Sequence, residues 1–353
     1  MAIKQVWKTA GITMETQDTV TVRFDTGGVP FTYAPGQYID VTLVIDDLPV
    51  TRSYSLSSSP DEDLNPSITV KRVSGGIMSN YIIDNLSHIR TWHIDGPYGN
   101  FTPQNSTYAC RHIVLMGGGS GITPLYSIVR SVLSRSPDTK ATIIYSSHSS
   151  DDIIFRVPID RLIETYSGRV NCYHILSQSN DFAEHPGITV INGRLNEFIT
   201  GKLVKVATND KPLDNVQYFI CGPTALMKMH REVLKKMQVA AEQIYMEWFA
   251  PEAVNEGGVF PQQTQEVLLH YYEQTNLLDV EAGQTILASA LTDRIPLPYS
   301  CKTGTCGKCT ARLISGKVKM MNNYALKNDD VDAGIILLCQ SYPLDNDVTV
   351  EIA

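Results

Sequence analysis

Apolar and polar residues alternate along residues 19–24 and again along 37–43, the two-residue period of strands buried on one face. That texture runs through residues 1–106 and predicts an antiparallel β-barrel. From residue 107 the pattern changes. Residues 112–116 form a short continuous apolar run, and after a glycine-rich turn Leu125, Ile128, Val129, Val132 and Leu133 recur at helical spacing. Further strand patterns at 141–145, 170–176 and 217–220 are interrupted by a helical stretch at 159–166. The last of them leads into Leu226, Val233, Leu234 and Met237, again spaced as on a helix. Strands alternating with helices predict a parallel sheet over residues 107–249. Residues 250–264, rich in Pro, Gly and Gln, read as a linker. Beyond it, residues 266–272 read as a strand and 285–291 as a helix, so residues 265–353 form a third, α+β domain.

Composition supports several cores. A chain of 353 residues divides into two or three domains at roughly 100–200 residues each. Hydrophobic residues make up 43% and charged residues 19%, which excludes a disordered chain. The formal net charge of -8, with acidic residues scattered, gives nucleic acid no broad basic footprint. No apolar run approaches the ~18 residues that cross a bilayer, and the first residues do not lead into a secretory apolar core. The expected location is the cytoplasm, with no membrane partner. Seven cysteines in that compartment read as ligands or buried thiols rather than disulfides.

Four of the seven fall into one pattern. Cys301, Cys306 and Cys309, followed by Cys339, have the C-x4-C-x2-C…C spacing of a plant-type [2Fe–2S] site. Four thiolates serve two irons, and three of them come from one tight loop. Gly304 and Gly307 suit such a loop, because a residue without Cβ lets backbone N–H groups approach sulfur. A structural zinc site is the competing use of four cysteines, but it usually pairs them as two short knuckles, and only one is present. Cys110, Cys172 and Cys221 lie in apolar, strand-like stretches that suit buried thiols. Pro296 and Pro298 impose an extended approach to the cysteine loop.

The run 112–116 enters Gly117-Gly118-Gly119-Ser120-Gly121-Ile122-Thr123-Pro124. Strand, glycine turn and helix, with Pro124 at the first helical position, suit a dinucleotide, because a helix N-terminus offers free N–H groups to a pyrophosphate. The strict G-x-G-x-x-G fingerprint fails at Ile122. A second turn, Cys221-Gly222-Pro223-Thr224, follows the strand at 217–220, and two strand ends opening on one crevice is how open α/β sheets bind ligands. In the barrel, Arg52-Ser53-Tyr54-Ser55 places a cation and an aromatic ring on one strand face. Gly75-Gly76-Ile77-Met78-Ser79 adds a second helix start suited to phosphate.

Taken in order, Arg52–Ser55, Gly75–Ser79, Gly96-Pro97-Tyr98-Gly99-Asn100-Phe101, Gly117–Pro124, Cys221–Pro223 and the cysteine loop resemble the ferredoxin–NADP+ reductase superfamily. The form resembled is the oxygenase reductase with a C-terminal β-grasp ferredoxin domain. The resemblance implies FAD in the barrel, a nicotinamide dinucleotide on the parallel sheet and a [2Fe–2S] cluster on Cys301, Cys306, Cys309 and Cys339. It further implies that Arg52 binds the FAD pyrophosphate and that Tyr54 stacks on the isoalloxazine. Ser55 would then lie near the reactive flavin nitrogen, with Gly76, Met78 and Ser79 at the phosphates. Gly118, Gly119, Ser120, Gly121 and Thr123 would line the dinucleotide site, and Cys221, Gly222 and Pro223 would sit beside the nicotinamide. Glu247-Trp248-Phe249 resembles the ending that closes over the flavin, although Phe249 also reads as a core aromatic.

Gly316-Lys317-Val318, Asn323–Leu326 and Cys339–Leu344 narrow the resemblance to the reductase subunits of phenylacetyl-CoA epoxidases, which implies a diiron oxygenase as partner. The implied activity is hydride uptake from NAD(P)H and single-electron delivery to that partner. A stand-alone NAD(P)H:acceptor reductase and a redox-sensing binding protein are the alternatives. Ser146-Ser147-His148, after the strand at 141–145, carries neither an acidic residue for a free ribose nor an arginine for a 2′-phosphate, and the reading leans to NADH.

Overall fold

The computed structural model describes residues 3–178, 185–208, 215–249, 263–272, 274–299, 301–326 and 328–352. It divides into two compact units, Met1–Phe249 and Ala250–Ala353. Most of the expected linker, residues 250–262, lies outside the described residues. No helix among the described residues is long and apolar enough to cross a membrane.

The first unit begins with strands β1 (Ile3–Thr16), β2 (Thr19–Asp25), β3 (Tyr38–Ile45), β4 (Leu48–Ser55) and β5 (Ser67–Lys71), helix α1 (Ile77–Asn85) and strand β6 (Thr91–Tyr98). The strands pair in the order β4-β3-β6-β1-β2-β5, antiparallel at each step. A bridge between Leu56 and Ile68 and the bond from Ser57 N to Ser67 O (2.9 Å) join the two ends, so the sheet curls into the expected barrel. Alternation on β2 sends Val20, Val22 and Phe24 inward, where Phe24 meets Trp7 at 5.2 Å and Trp92 at 5.4 Å between ring centroids.

Next come α2 (Asn105–Tyr108), β7 (His112–Gly118), α3 (Ile122–Arg135), β8 (Lys140–Ser147), α4 (Arg156–Thr165), β9 (Val170–Leu176) and β10 (Ile188–Asn192). Helix α5 (Glu197–Thr208), strand β11 (Val216–Cys221), helix α6 (Thr224–Lys236) and strand β12 (Ile244–Glu247) complete the unit. The sheet is parallel, in the order β10-β9-β8-β7-β11-β12. The chain builds outward from β7 in one direction, then returns to build from β11 in the other. The switch point of the topology therefore lies between β7 and β11, where open sheets form ligand crevices. Pro124 is the third residue of α3 rather than the first. It is tolerated there because the N–H groups of the first helical turn have no partner within the helix.

Barrel and parallel layer are fastened through α3. Ser127 Oγ donates to Ser58 O at 2.6 Å, Ser131 Oγ and Ser59 Oγ lie 2.9 Å apart, and Arg130 pairs with Glu62 at 2.8 Å and Asp63 at 2.6 Å. Burial opposes the Arg130 charge, but the bond to Asp63 and the charges of Asp63 and Glu62 outweigh it and hold the guanidinium protonated.

The second unit contains β13 (Gln265–Tyr271), β14 (Gln274–Val280), α7 (Ile286–Thr292), β15 (Thr310–Ser315), β16 (Val318–Met320), α8 (Asn328–Asp332), β17 (Ile335–Leu337), β18 (Ser341–Pro343) and β19 (Val348–Ile352). Five strands form a mixed sheet in the order β14-β13-β19-β15-β17, and β16 pairs with β18. Thr285 caps α7 by accepting the Ala288 N–H, and Ile286, Leu287 and Ala290 pack on Val267, Leu269 and Leu278. This is the β-grasp arrangement expected from the sequence.

Candidate functional site

The carboxyl ends of β7, β11 and β12 bring Gly117, Cys221 and Glu247 into one row, Cys221 being in register with each of the other two. Two glycines allow the turns beyond that row to touch. A Cβ on Gly121 would lie 2.2 Å from Cys221 O, and one on Gly222 would lie 2.9 Å from Gly118 N. Gly222 also has φ of 153°, which side chains avoid. Gly119 lies at φ 53°, with open space where a Cβ would project, and its carbonyl accepts the Tyr145 hydroxyl at 3.0 Å. Thr123 Oγ1 donates to Ser120 O at 2.9 Å and closes the first turn of α3. Gly118, Gly119, Ser120, Gly121, Thr123, Cys221, Gly222 and Pro223 are thus brought together at one crevice.

The barrel reaches the same row through β4. Ser55 Oγ donates to Glu247 Oε2 at 2.9 Å, with Ser55 buried and Glu247 half-buried. Burial pushes the Glu247 carboxyl up to about 8 against the opposing pull of the Ser55 bond, so it is mostly protonated at neutral pH. Burial, reinforced by Glu247, likewise pushes the Cys221 thiol well above its ordinary range. Gly99, at φ 98°, leaves 3.9 Å between its Cβ position and Glu247 Oε1.

Elsewhere on the barrel, Tyr54 is half-buried against the core, and burial raises its hydroxyl pKa despite the charge of Arg52. Arg52 is exposed, with one guanidinium nitrogen on Thr51 O at 2.7 Å. Gly76 precedes α1 without any side-chain cap, so the helix start keeps its N–H groups uncapped by side chains. Met78 and Ser79 are buried there, and Ser79 Oγ accepts the Val73 N–H at 3.1 Å. Phe249 is 40% exposed and is not a core aromatic, whereas Trp248 is 9% exposed. These features suit an anionic, flat cofactor: a cation, an open helix start, a half-buried ring and a neutral acid lie along one strand and its partners.

In the second unit the loop from Cys301 to Cys309 turns through Lys302, Gly304 and Gly307, all with positive φ. The turns aim backbone N–H groups at sulfur, from Thr303 (3.4 Å) and Thr305 (3.3 Å) to Cys301 and from Lys308 (3.4 Å) to Cys306. Cys306 and Cys339 both hydrogen-bond to the Cys301 sulfur and lower its pKa, while the same contacts raise theirs. Cys339 also bonds to Cys309 and lowers its pKa. Among the described residues no three His, Cys, Asp or Glu side chains close around a single ion position. Through these contacts the four sulfurs, in the order Cys306, Cys301, Cys339 and Cys309, lie together at the loop, a donor set that suits an iron–sulfur cluster. Gln340 braces the loop, donating to Lys302 O and accepting from Asn322 Nδ2, both at 2.9 Å. Cys110 and Cys172 are buried thiols in the core of the parallel layer.

Tyr145 and Gln340 were given no site role by the sequence, whereas Glu247 entered it within the Glu247-Trp248-Phe249 ending, without its contact to Ser55. Neither Tyr145 nor Gln340 carried a signal, because each acts through a contact with a residue distant in sequence.

Comparison with known proteins gives three family matches along the chain. A family profile described as an oxidoreductase FAD-binding domain matches residues 9–102, an oxidoreductase NAD-binding domain matches 115–232, and a 2Fe-2S iron-sulfur cluster binding domain matches 270–344. The ferredoxin reductase component of 3-ketosteroid-9-alpha-monooxygenase from Rhodococcus rhodochrous is 30% identical, over 97% of this chain and 95% of its own. A component of the 1,2-phenylacetyl-CoA epoxidase of Escherichia coli (strain K12) is also 30% identical, over 97% of this chain and 96% of its own. Among solved structures, phthalate dioxygenase reductase shares the fold with a TM-score of 0.60 at 20% identity, covering 99% of this chain and 98% of that one.

The chain belongs to the ferredoxin–NADP+ reductase-type family of oxygenase reductase components. It is an NAD(P)H-dependent flavin and iron–sulfur oxidoreductase that carries electrons from a nicotinamide nucleotide through FAD to a [2Fe–2S] centre.

Proposed function

We propose that the barrel of residues 1–106 holds FAD, that residues 107–249 receive the nicotinamide nucleotide, and that residues 265–353 hold the cluster and serve an oxygenase partner. Bound flavin accepts a hydride and gives up electrons one at a time, and a bound cluster passes them on singly. Arg52 and the open start of α1 at Gly76, Met78 and Ser79 would hold the FAD phosphates, with Tyr54 against its ring. Gly118, Gly119, Ser120, Gly121 and Thr123 would line the dinucleotide site opposite Cys221, Gly222 and Pro223. Phe249, exposed beside Glu247, would cover the ring where the two cofactors meet. Cys301 with Cys306 and Cys309 with Cys339 would each hold one iron.

The observation that carries this reading is the meeting of Ser55 with Glu247 beside Cys221. A barrel strand and the strand next to the switch point of a parallel sheet converge there on a protonated, half-buried acid. Glu247 keeps its proton at neutral pH and hydrogen-bonds Ser55, so the junction adds no net negative charge to a site that must accept hydride.

NADH is the proposed donor, because the residues after β8 supply no guanidinium for a 2′-phosphate. His148 is exposed, with Nδ1 3.4 Å from Ser177 Oγ. The partner is proposed to be a diiron epoxidase acting on an aryl-CoA, from the resemblance at residues 316–344 and the epoxidase component among the relatives. Anaerobic mixing of the reconstituted protein with NADH or NADPH tests the donor: NADH should bleach the flavin faster and then elicit the cluster's paramagnetic signal. Oxygen uptake with phenylacetyl-CoA and the epoxidase's oxygenase component tests the partner. Uptake no faster than with the oxygenase of a 3-ketosteroid monooxygenase would reject the epoxidase assignment.

A further inference from the structure

Between Asp293 and Asp329 the sequence carries seven basic residues and no acidic one, in a chain whose formal net charge is -8. Three of the four cluster cysteines lie inside that stretch. Lys302 and Lys308 sit within the cysteine loop, and Lys319 on β16 stands opposite Tyr342, three positions after Cys339. Lys302 is exposed, held at φ 57°, with its ammonium 4.8 Å from the ring centroid of Tyr299, itself 39% exposed. Neither Lys302 nor Lys319 has a carboxylate partner among the described residues.

Asp345 and Asp347 sit away from the loop. Strand β15 starts at Thr310, next to Cys309, and ends at Ser315, whose Oγ donates to Asp347 O at 2.8 Å. Asp345 accepts the Lys317 N–H at that same far end. Lys302, Lys308 and Lys319 thus put a group of cations at the cluster loop within an acidic protein. An exposed aromatic such as Tyr299 is a residue type enriched in protein-binding surfaces, and a charge of one sign around a redox site steers partners of the other sign.

We propose that this basic rim is the docking face for the electron acceptor, and that the acceptor is a protein with an acidic surface around its own redox centre. The inference rests on the reading of this chain as a donor to a partner protein. In the step concerned one electron leaves the reduced cluster and converts the acceptor's ferric ion to ferrous; no bond or proton moves.

The test uses the holoprotein, reduced with NADH under argon and mixed by stopped flow with ferric cytochrome b5, an acidic protein, or ferric cytochrome c, a basic one. Ionic strength is varied between about 10 and 300 mM, spanning Debye lengths from ~30 Å to below 10 Å. The rate constant for cytochrome b5 should fall about tenfold or more across that range, and that for cytochrome c should not fall. Lys302→Asn with Lys319→Gln should cut the fall to about threefold while leaving the cluster's visible absorbance unchanged; asparagine suits the left-handed backbone at 302. A cluster whose potential shifts in this variant, with the salt dependence intact, means that the lysines only offset cluster charge, and overturns the proposal. Salt-independent rates with both cytochromes, or a fall confined to cytochrome c, overturn it too. Failure of NADH to reduce the cluster before mixing is a separate result, and it overturns the donor reading itself.

Discussion

Ser55 Oγ and Glu247 Oε2 lie 2.9 Å apart although 192 positions separate the residues in the chain. The bond joins the barrel to the last strand of the parallel sheet and fixes a carboxyl whose proton is retained up to about pH 8. In the unfolded chain the same carboxyl ionises near 4.5. Between those values the unfolded state releases a proton that the folded state keeps. The stabilising contribution is therefore complete below about pH 4.5 and is lost as pH rises towards 8, an effect on the order of a few kcal/mol. Glu247→Gln should flatten the decline of the thermal midpoint between pH 5 and pH 9. Identical declines in both proteins would mean that the carboxyl is already ionised in the native fold.

Ser55→Ala removes the bond and leaves Glu247 buried without that donor. The rate of flavin reduction by NADH should fall by about tenfold, as expected when a buried group loses a hydrogen bond worth about 1–2 kcal/mol, while flavin content stays near wild type. An unchanged rate in single-turnover stopped flow would remove Ser55 from the reaction.

Gly121 and Gly222 keep the two turns of the crevice in contact. Gly121→Ala would drive a methyl group to 2.2 Å from Cys221 O, and that backbone belongs to a strand end paired on both sides. The expected cost is about 2–4 kcal/mol of stability, with loss of NADH-dependent reduction ahead of any loss of flavin. Gly119→Ala meets no neighbouring atom and should cost only the strain of φ 53°, about 1 kcal/mol. Comparing the two melting temperatures checks the ordering.

Replacing any one of Cys301, Cys306, Cys309 and Cys339 with serine should abolish the cluster signal while NADH still bleaches the flavin. Cytochrome c reduction should then fall at least about tenfold, with ferricyanide reduction by the flavin preserved. Cys172→Ser, in the core of the parallel layer, should leave cluster and electron transfer intact; a lost cluster in that variant would redraw the ligand set.

His230 is fully buried on α6, with neither ring nitrogen in a hydrogen bond among the described residues, and burial pushes its pKa down to about 3. Burial pushes His112 and His174 down to about 4. As pH falls below the ordinary histidine value of 6.5, the unfolded chain gains protons that the fold refuses. Stability should drop between pH 6.5 and 4, by about 1–2 kcal/mol per histidine at pH 5. His230→Leu should lessen that drop, measured by urea unfolding at pH 7 and pH 5.

The parts legible in the sequence were those with local signatures. Strands β2, β8, β9 and β11 followed from period and β-branched residues, and the cysteine loop followed from spacing alone. Strand β1, 14 residues long, escaped because its bulges between Thr9 and Gly11 and between Met14 and Thr16 break the alternation that reveals a strand. The grip of Arg130 on Glu62 and Asp63 and the bond from Ser55 to Glu247 escaped for another reason. Each joins residues far apart in sequence, and no local pattern records which distant side chain a charge or hydroxyl will meet. Pro124 was placed two positions early in its helix, since the first turn tolerates proline at several positions.

Helix α3 opens at the glycine turn of the crevice and, along its next turns, holds Ser58, Ser59, Glu62 and Asp63, residues that follow Ser55 in the chain. One rod of 14 residues therefore acts as a caliper between the crevice and the barrel. Lengthening the 57–66 loop would open that caliper without touching a ligand contact, and the change would register in the deuterium isotope effect on flavin reduction before it altered nucleotide affinity.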